Sequence, residues 1–311
     1  MSNRFKVSII GAGNVGSSAA QRIAEHDYAD IVLVDIVEGL PQGKALDIQE
    51  SGPVLGFDTR LTGTNGYEET AGSDVVVITS GIARKPGMTR DDLLMTNMEI
   101  VGSVTRNVVS HSPDCVIVIA TNPVDAMVYL TLHEGKLPGN RVIGLSGGLD
   151  TARLSSFIAT ELQVSVEDVA ACVLGEHGKS MVVVPRLTTV NGTPITKLLS
   201  EETVNHLVER TIGGGAEIVG LLKNGSAFYA PSAAIAQMVQ AILLDKKKIL
   251  PCAVRLDGEY GLKDTVISVP VKLGWDGVEQ VIELELTEEE SAALTGSAQA
   301  VQDLIKVMKL E

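Results

Sequence analysis

The run Lys6-Val7-Ser8-Ile9-Ile10-Gly11-Ala12-Gly13-Asn14-Val15-Gly16 decides the fold. Lys6–Ile10 is a short run dominated by β-branched residues, the pattern of a buried strand. It passes without a linker into a GxGxxG turn that opens a helical stretch, Val15–His26. Gly11 permits the tight turn, Gly13 lets a pyrophosphate approach the backbone, and Gly16 lets helix and strand pack closely. The helix start offers free N–H groups and a positive dipole to phosphates. Gly-rich turns are common, so the motif alone is weak. It gains force from Asp35, which ends the next apolar run nineteen residues after Gly16. An acid there holds the ribose hydroxyls of a dinucleotide and repels a 2′-phosphate, favouring NAD over NADP. The blander alternative is a strand-ending Asp in a turn.

Outward from this unit the same rhythm continues. Ile31–Asp35, Val75–Thr79, Val116–Ala120 and Arg141–Gly144 read as buried parallel strands. Gln42–Glu50, Arg90–Ser110 and Val124–Leu132 carry helical spacing between them. That alternation predicts an α/β fold, a Rossmann doubly wound parallel sheet. The character changes near Gly144–Gly148. A helix over Leu149–Leu162 leads into strands over Val169–Leu174 and Met181–Val190, with Asn191-Gly192 marking a hairpin turn. Helices follow over Glu201–Lys223 and Ser232–Leu244, then strands near Ile249–Leu256 and Thr265–Val271, and a closing helix over Thr287–Leu310. The expected division is residues 1–145 as a nucleotide-binding domain and 146–311 as an α+β catalytic domain, without a flexible linker.

Composition narrows the function classes. Of 311 residues, 45% are hydrophobic and 21% charged, which are globular proportions. The apolar runs are too short to cross a membrane and the start lacks a signal-peptide pattern, so a soluble cytoplasmic protein with no membrane partner is expected. A net charge of -14 argues against nucleic acid as a partner. Cys115, Cys172 and Cys252 lie far apart in apolar surroundings and form no CxxC or Cys/His spacing. They read as small buried hydrophobes, and neither disulfide nor metal is expected.

Three segments carry chemistry. Gly81-Ile82-Ala83-Arg84-Lys85-Pro86-Gly87-Met88-Thr89-Arg90 follows the strand at Val75–Thr79, and its three cations suit a lid that closes on an anion; a solvated basic loop is the alternative. Gly147-Gly148-Leu149-Asp150-Thr151-Ala152-Arg153 enters a helix with Asp150 and Arg153 on one face, which a surface ion pair would also explain. Leu174-Gly175-Glu176-His177-Gly178 frames a histidine with glycines, a framing that His26, His111, His133 and His206 lack. Together they suit oxidation of a 2-hydroxy acid. Histidine takes the hydroxyl proton near neutral pH, an aspartate fixes its tautomer, and an arginine grips the carboxylate in two places. A further cation polarises the carbonyl in the reverse direction.

At these residues the chain closely resembles the lactate/malate dehydrogenase family, from the Rossmann turn through Gly225-Ser226-Ala227-Phe228-Tyr229 to the final helix. The resemblance implies NAD as cofactor, bound by Gly11, Ala12, Gly13, Asn14, Val15, Gly16, Asp35, Asn97, Ala120, Thr121 and Asn122. It implies that His177 is the proton acceptor and donor and Asp150 its orienting partner. Arg153 then clamps the C1 carboxylate, Arg90 polarises the carbonyl, and Asn122, in Thr121-Asn122-Pro123-Val124-Asp125, touches both nicotinamide and substrate. The family's discriminating lid position falls on Arg84, where lactate-specific members typically carry Gln. A cation there suits the C4 carboxylate of a small dicarboxylate, malate or oxaloacetate, and points to the malate-specific branch. The family resemblance also implies a homodimer or homotetramer and a place in the tricarboxylic acid cycle. Two features depart from or strain the pattern. Lys179 stands where the family usually has Asp after His-Gly, and Gly213-Gly214-Gly215 interrupts a helical stretch, either as a kink or to allow close backbone approach. The rival readings are a lactate dehydrogenase, which Arg84 disfavours, and an NAD-binding redox sensor, which leaves Asp150, Arg153 and His177 unexplained.

Overall fold

The computed structural model describes residues 4–83 and 88–310, except for the side chain of Arg90. In chain order the described elements begin with β1 (Phe5–Ile10), α1 (Asn14–Glu25), β2 (Ala29–Val34), α2 (Leu40–Glu50), α3 (Gly52–Leu55) and β3 (Leu61–Thr64). Next come β4 (Val75–Ile78), α4 (Arg90–His111), β5 (Val116–Ile119), α5 (Val124–Gly135), β6 (Val142–Gly144) and α6 (Gly147–Leu162). A series of short strands follows: β7 (Val169–Ala170), β8 (Val173–Leu174), β9 (Val182–Val183), β10 (Thr189–Val190) and β11 (Thr193–Pro194). The chain closes with α7 (Glu201–Leu222), α8 (Tyr229–Leu243), β12 (Lys248–Asp257), β13 (Lys263–Gly274), β14 (Gly277–Val281) and α9 (Glu288–Met308).

Strands β4 and β5 contain no polar residue, and the packing shows why. Val75, Val77, Val116 and Val118 enter one core, while Val76, Ile78, Ile117 and Ile119 enter another. Side chains alternate across a strand, so a wholly apolar strand needs cover on both faces. On the first face α1 supplies Ala19, Ala20 and Ile23, and α8 supplies Ile235, Met238 and Val239. On the second, α4 and α5 supply Leu94, Val101, Met127 and Leu130. A third, smaller core joins α6 and α7 around Leu154, Ile158, Val204 and Leu207.

The large sheet has the order β14-β13-β12-β6-β5-β4-β1-β2-β3. Six strands from β3 to β6 are parallel, and the chain runs outward from β1 in both directions, which creates a crevice between β1 and β4. The three strands of the second half extend this same sheet antiparallel, joined where Ala253 faces Gly144. A Cβ on Gly144 would come within 2.9 Å of the Ala253 Cβ, so the join requires a residue without a side chain.

The expected elements of the first half appear within a few residues of their predicted ends. β3 and β14 were not foreseen: both lie at sheet edges, and LTGT and GVEQV bury one face at most, so neither presents an apolar run. The expected strand Val169–Leu174 is broken, because the Cys172 N–H donates to Thr188 Oγ1 instead of a ladder. The expected strand Met181–Val190 is interrupted by a helical turn opening at Pro185. Asn191 (φ 46°) and Gly192 (φ 81°) do form the hairpin turn between β10 and β11. Gly213-Gly214-Gly215 lies within the unbroken helix α7. Cys115 and Cys252 are buried and Cys172 is half-buried; burial pushes all three thiols up, Cys172 to about 11. Among the described residues no helix is long and apolar enough to cross a membrane.

Candidate active site

The candidate residues lie along one end of the parallel strands. Gly11 follows β1, Asp35 follows β2, Gly81 follows β4, Asn122 follows β5 and Asp150 follows β6. All five lie beyond the carboxyl ends of parallel strands, where ligands bind in open α/β sheets.

The glycine turn is built for close approach. Gly11 has φ 114°, and a Cβ on Gly16 would lie 1.9 Å from the Gly11 carbonyl oxygen. Gly13 is exposed, with nothing within 4 Å of its Cβ position, and it caps α1 without any side-chain hydrogen bond. The first-turn N–H groups of α1 therefore open onto a bare backbone that a pyrophosphate fits. Asp35 braces this turn: its Oδ2 accepts the Ala12 N–H at 2.8 Å and its Oδ1 the Val37 N–H at 3.0 Å.

The strand β8 ends at Leu174, and a bridge between Gly175 and Ser268 of β13 fixes the exit of the chain. The Glu176 N–H then donates to Ser297 Oγ at 2.7 Å, and the His177 N–H to Asp125 Oδ2 at 3.0 Å. These anchors aim the imidazole at α6. His177 Nδ1 lies 2.6 Å from Asp150 Oδ2, and Asp150 Oδ1 accepts from Arg153 Nη1 at 2.9 Å. Asp150 is 1% exposed, so one buried carboxylate is divided between a base and a guanidinium. Burial is the largest influence on His177 and opposes its charge, as Arg153 does, but the charge and hydrogen bond of Asp150 together with the charge of Asp125 outweigh them; the imidazole pKa ends above its ordinary value. Such an imidazole can accept a proton and hold it. Arg153 Nε is buried with no hydrogen-bond partner among the described residues, leaving donor capacity for an anion.

α7 crosses beside this arginine. A Cβ on Gly214 would come within 3.2 Å of Arg153 Cδ, whereas one on Gly213 would meet nothing within 4 Å. The glycine run thus gives backbone access at one position.

The segment after β4 is clasped to the loop after β5. Asn97 of α4 is fully buried; its Oδ1 accepts the Ile82 N–H at 2.8 Å and its Nδ2 donates to the Ile82 and Asn122 carbonyls at 3.2 and 2.7 Å. Thr121 Oγ1 donates to the Ser80 carbonyl at 2.7 Å, and the Ala120 N–H to the Ile78 carbonyl. Both polar atoms of the Asn97 amide thus hydrogen-bond to backbone. Thr89 caps α4 in a reciprocal box with Asp92. Arg84, Lys85, Pro86 and Gly87 lie outside the described residues, as does the Arg90 side chain.

Sequence reasoning gave no role to Asp125. An acid in the first turn of an apolar helix reads as a partner of the helix dipole, which hides its contact with the His177 loop.

Both halves of the chain match known proteins in order. Residues 5–144 match the lactate/malate dehydrogenase, NAD binding domain family, and residues 148–310 match its alpha/beta C-terminal domain. A malate dehydrogenase of Thermomicrobium roseum is 56% identical over 306 residues, covering 98% of this chain and 99% of that protein. The solved malate dehydrogenase of Salinibacter ruber is 52% identical with a TM-score of 0.94, covering 98% of each chain. A lactate dehydrogenase of Cryptosporidium parvum, solved with lactic acid and nicotinamide adenine dinucleotide, has a TM-score of 0.96 at 38% identity, covering 100% of each chain. The backbone alone therefore does not divide one substrate from the other, but the similarity runs unbroken through cofactor turn and histidine loop alike: the chain belongs to the lactate/malate dehydrogenase family.

Proposed function

We propose that the protein is an NAD-dependent malate dehydrogenase, reversibly converting (S)-malate and NAD to oxaloacetate and NADH. The observation that supports this most is the division of Asp150 between His177 and Arg153 at the strand ends that also carry the glycine turn. NAD, when bound, supplies the hydride acceptor for C2 of malate. His177 Nε2 takes the hydroxyl proton as hydride leaves, and Asp150 holds Nδ1–H and stabilises the imidazolium. Arg153 grips the C1 carboxylate through the donors that Asp150 does not use. Arg90 polarises the C2 carbonyl in the reduction, and Arg84 pairs with the C4 carboxylate. Asn122 orients substrate and nicotinamide, with Asn97 supporting it.

For the cofactor, Gly11, Ala12, Gly13, Asn14, Val15 and Gly16 receive the pyrophosphate and Asp35 the adenosine ribose, while Ala120 and Thr121 line the nicotinamide side. We place the NAD-binding domain at residues 1–145 and the catalytic domain at 146–311. A cytoplasmic homodimer or homotetramer serving the tricarboxylic acid cycle completes the reading. The test is absorbance at 340 nm with NADH and either oxaloacetate or pyruvate at equal concentration. Faster turnover of oxaloacetate is expected; equal or faster turnover of pyruvate would overturn the assignment.

A further inference from the structure

His177 has a second carboxylate neighbour besides Asp150. Asp125 sits in the first turn of α5, three residues after Asn122, and is 2% exposed. Its Oδ2 accepts the His177 N–H, while its Oδ1 has no hydrogen-bond partner among the described residues. A buried carboxylate with one unsatisfied oxygen costs stability unless its charge is used. A neutral Asn would accept the same N–H without that cost. We propose that Asp125 is a positioning residue for His177, fixing its loop through the backbone N–H and stabilising the imidazolium through its charge. The inference rests on the reading of His177 as the proton carrier.

The electrostatics run both ways. Burial pushes the Asp125 carboxyl up to about 7, while the His177 N–H and imidazole charge pull it down and Glu176 pushes it up. The Asp125 carboxylate in turn raises the His177 pKa, alongside Asp150 and against Arg153. Protonation of His177 therefore favours ionised Asp125, and the reverse holds by the same coupling. The charged groups bearing on the imidazole are Asp150 and Arg153 from α6 and Asp125 from α5, while Glu176 on its own loop bears on Asp125. The contact also ties the loop of the proton carrier to the loop of Asn122, so substrate and base share one frame.

The two functions separate in Asp125→Asn, which keeps an acceptor for the N–H and removes the charge. Without that charge the imidazolium is less stable and the His177 pKa falls. Oxaloacetate reduction needs protonated His177, so its falling limb moves to lower pH. Malate oxidation needs neutral His177, so its rising limb moves to lower pH too. On the sloping part of each limb, every pH unit of movement is worth about tenfold in rate. Reduction should thus weaken at alkaline pH while malate oxidation strengthens around neutral pH, where the wild-type Asp125 carboxyl is ionised, with the Kd for NADH unchanged. A uniform fall in both directions with unmoved limbs would reduce Asp125 to a structural part and overturn the proposal. So would unchanged profiles.

An NMR titration of the His177 Cε1–H resonance, assigned by its loss in His177→Asn, gives the same answer without substrate. A midpoint moved down in Asp125→Asn supports the proposal, and an unmoved midpoint overturns it. Asp125→Ser, smaller and also uncharged, carries the same test if Asn does not fold. Wild-type protein that reduces no oxaloacetate would overturn the proposed function alone, since the titration reads His177 regardless.

Discussion

Gly214 packs its bare backbone against the side chain of Arg153, with a would-be Cβ only 3.2 Å from Arg153 Cδ. That spacing is tight enough that a methyl group must displace the arginine by a few tenths of an ångström. Gly214→Ala should therefore raise KM for oxaloacetate about tenfold, since small misplacements of orienting groups are expensive. Its NADH affinity should not change, because the glycine turn lies elsewhere. Gly213→Ala is the control, with open space at its Cβ. Both substitutions relieve a helix-interior glycine, worth about 0.5–1 kcal/mol. Steady-state kinetics and thermal melts would check the pair: Gly213→Ala should gain Tm with normal kinetics. Equal KM values in the two variants would remove Gly214 from the site.

His177→Asn should lower turnover by about two to four orders of magnitude, the usual worth of general acid–base catalysis. NADH should still bind, as fluorescence titration would report, because proton transfer and cofactor docking use different residues. Asp150→Asn should also be slow: an amide holds the ring but cannot stabilise the imidazolium. It also removes the charge facing Arg153, so KM should rise along with the loss in kcat. Wild-type rates in Asp150→Asn would break the link between histidine and aspartate.

How far the sequence goes depends on whether a residue acts through its neighbours in the chain. β1, the glycine turn and Asp35 were legible because each element is continuous and its apolar period is visible. β3 and β14 were not, because edge strands bury little and carry mixed residues. Asp150 and Arg153 were legible as a pair because three residues set them on one helical face. His177 stood out by its flanking glycines, yet its distance from Asp150 comes from the meeting of α6 with the β8 loop. No local pattern encodes that meeting. Asp125 was invisible as a site residue for the same reason: it acts on a residue 52 positions away in the chain. The run Gly213-Gly214-Gly215 was legible as a place for close backbone approach, but not which of its glycines meets Arg153. The hydrogen bonds of Asn97 to Ile82 and Asn122 were likewise not legible, because they join α4 to two loops distant in the chain.

Asp35→Ser should narrow the preference for NADH over NADPH, by relieving repulsion of the 2′-phosphate. The structure adds a cost. Asp35 also accepts the Ala12 and Val37 N–H groups, so the variant loosens the glycine turn. Affinity for NADH should fall while affinity for NADPH rises or holds. Kd values for both coenzymes would check this, and an unchanged ratio would move coenzyme selectivity to the residues after β2.

Arg84 carries the sharpest expectation about substrate. Oxaloacetate and pyruvate share the C1 carboxylate and the C2 carbonyl, so Arg153, Arg90 and His177 meet the same groups in both. The difference is at C3, where oxaloacetate bears the C4 carboxylate. In the proposed reading the segment carrying Arg84 covers the bound substrate, so that charge loses water and needs a partner, or its burial opposes binding. An arginine at position 84 supplies a two-point partner. With pyruvate, the same arginine would be enclosed without an anion, which disfavours the wrong substrate by the same logic. Discrimination by buried hydrogen-bonded groups reaches about four to five powers of ten. Arg84→Gln should therefore lower kcat/KM for oxaloacetate steeply and raise it for pyruvate, with KM for NADH unmoved. Lys85 is adjacent and cationic, so Lys85→Gln is the needed comparison. A change of ratio confined to Lys85→Gln would shift the specificity position by one residue. If both variants kept the wild-type ratio, discrimination of the C4 carboxylate would have to come from outside the lid.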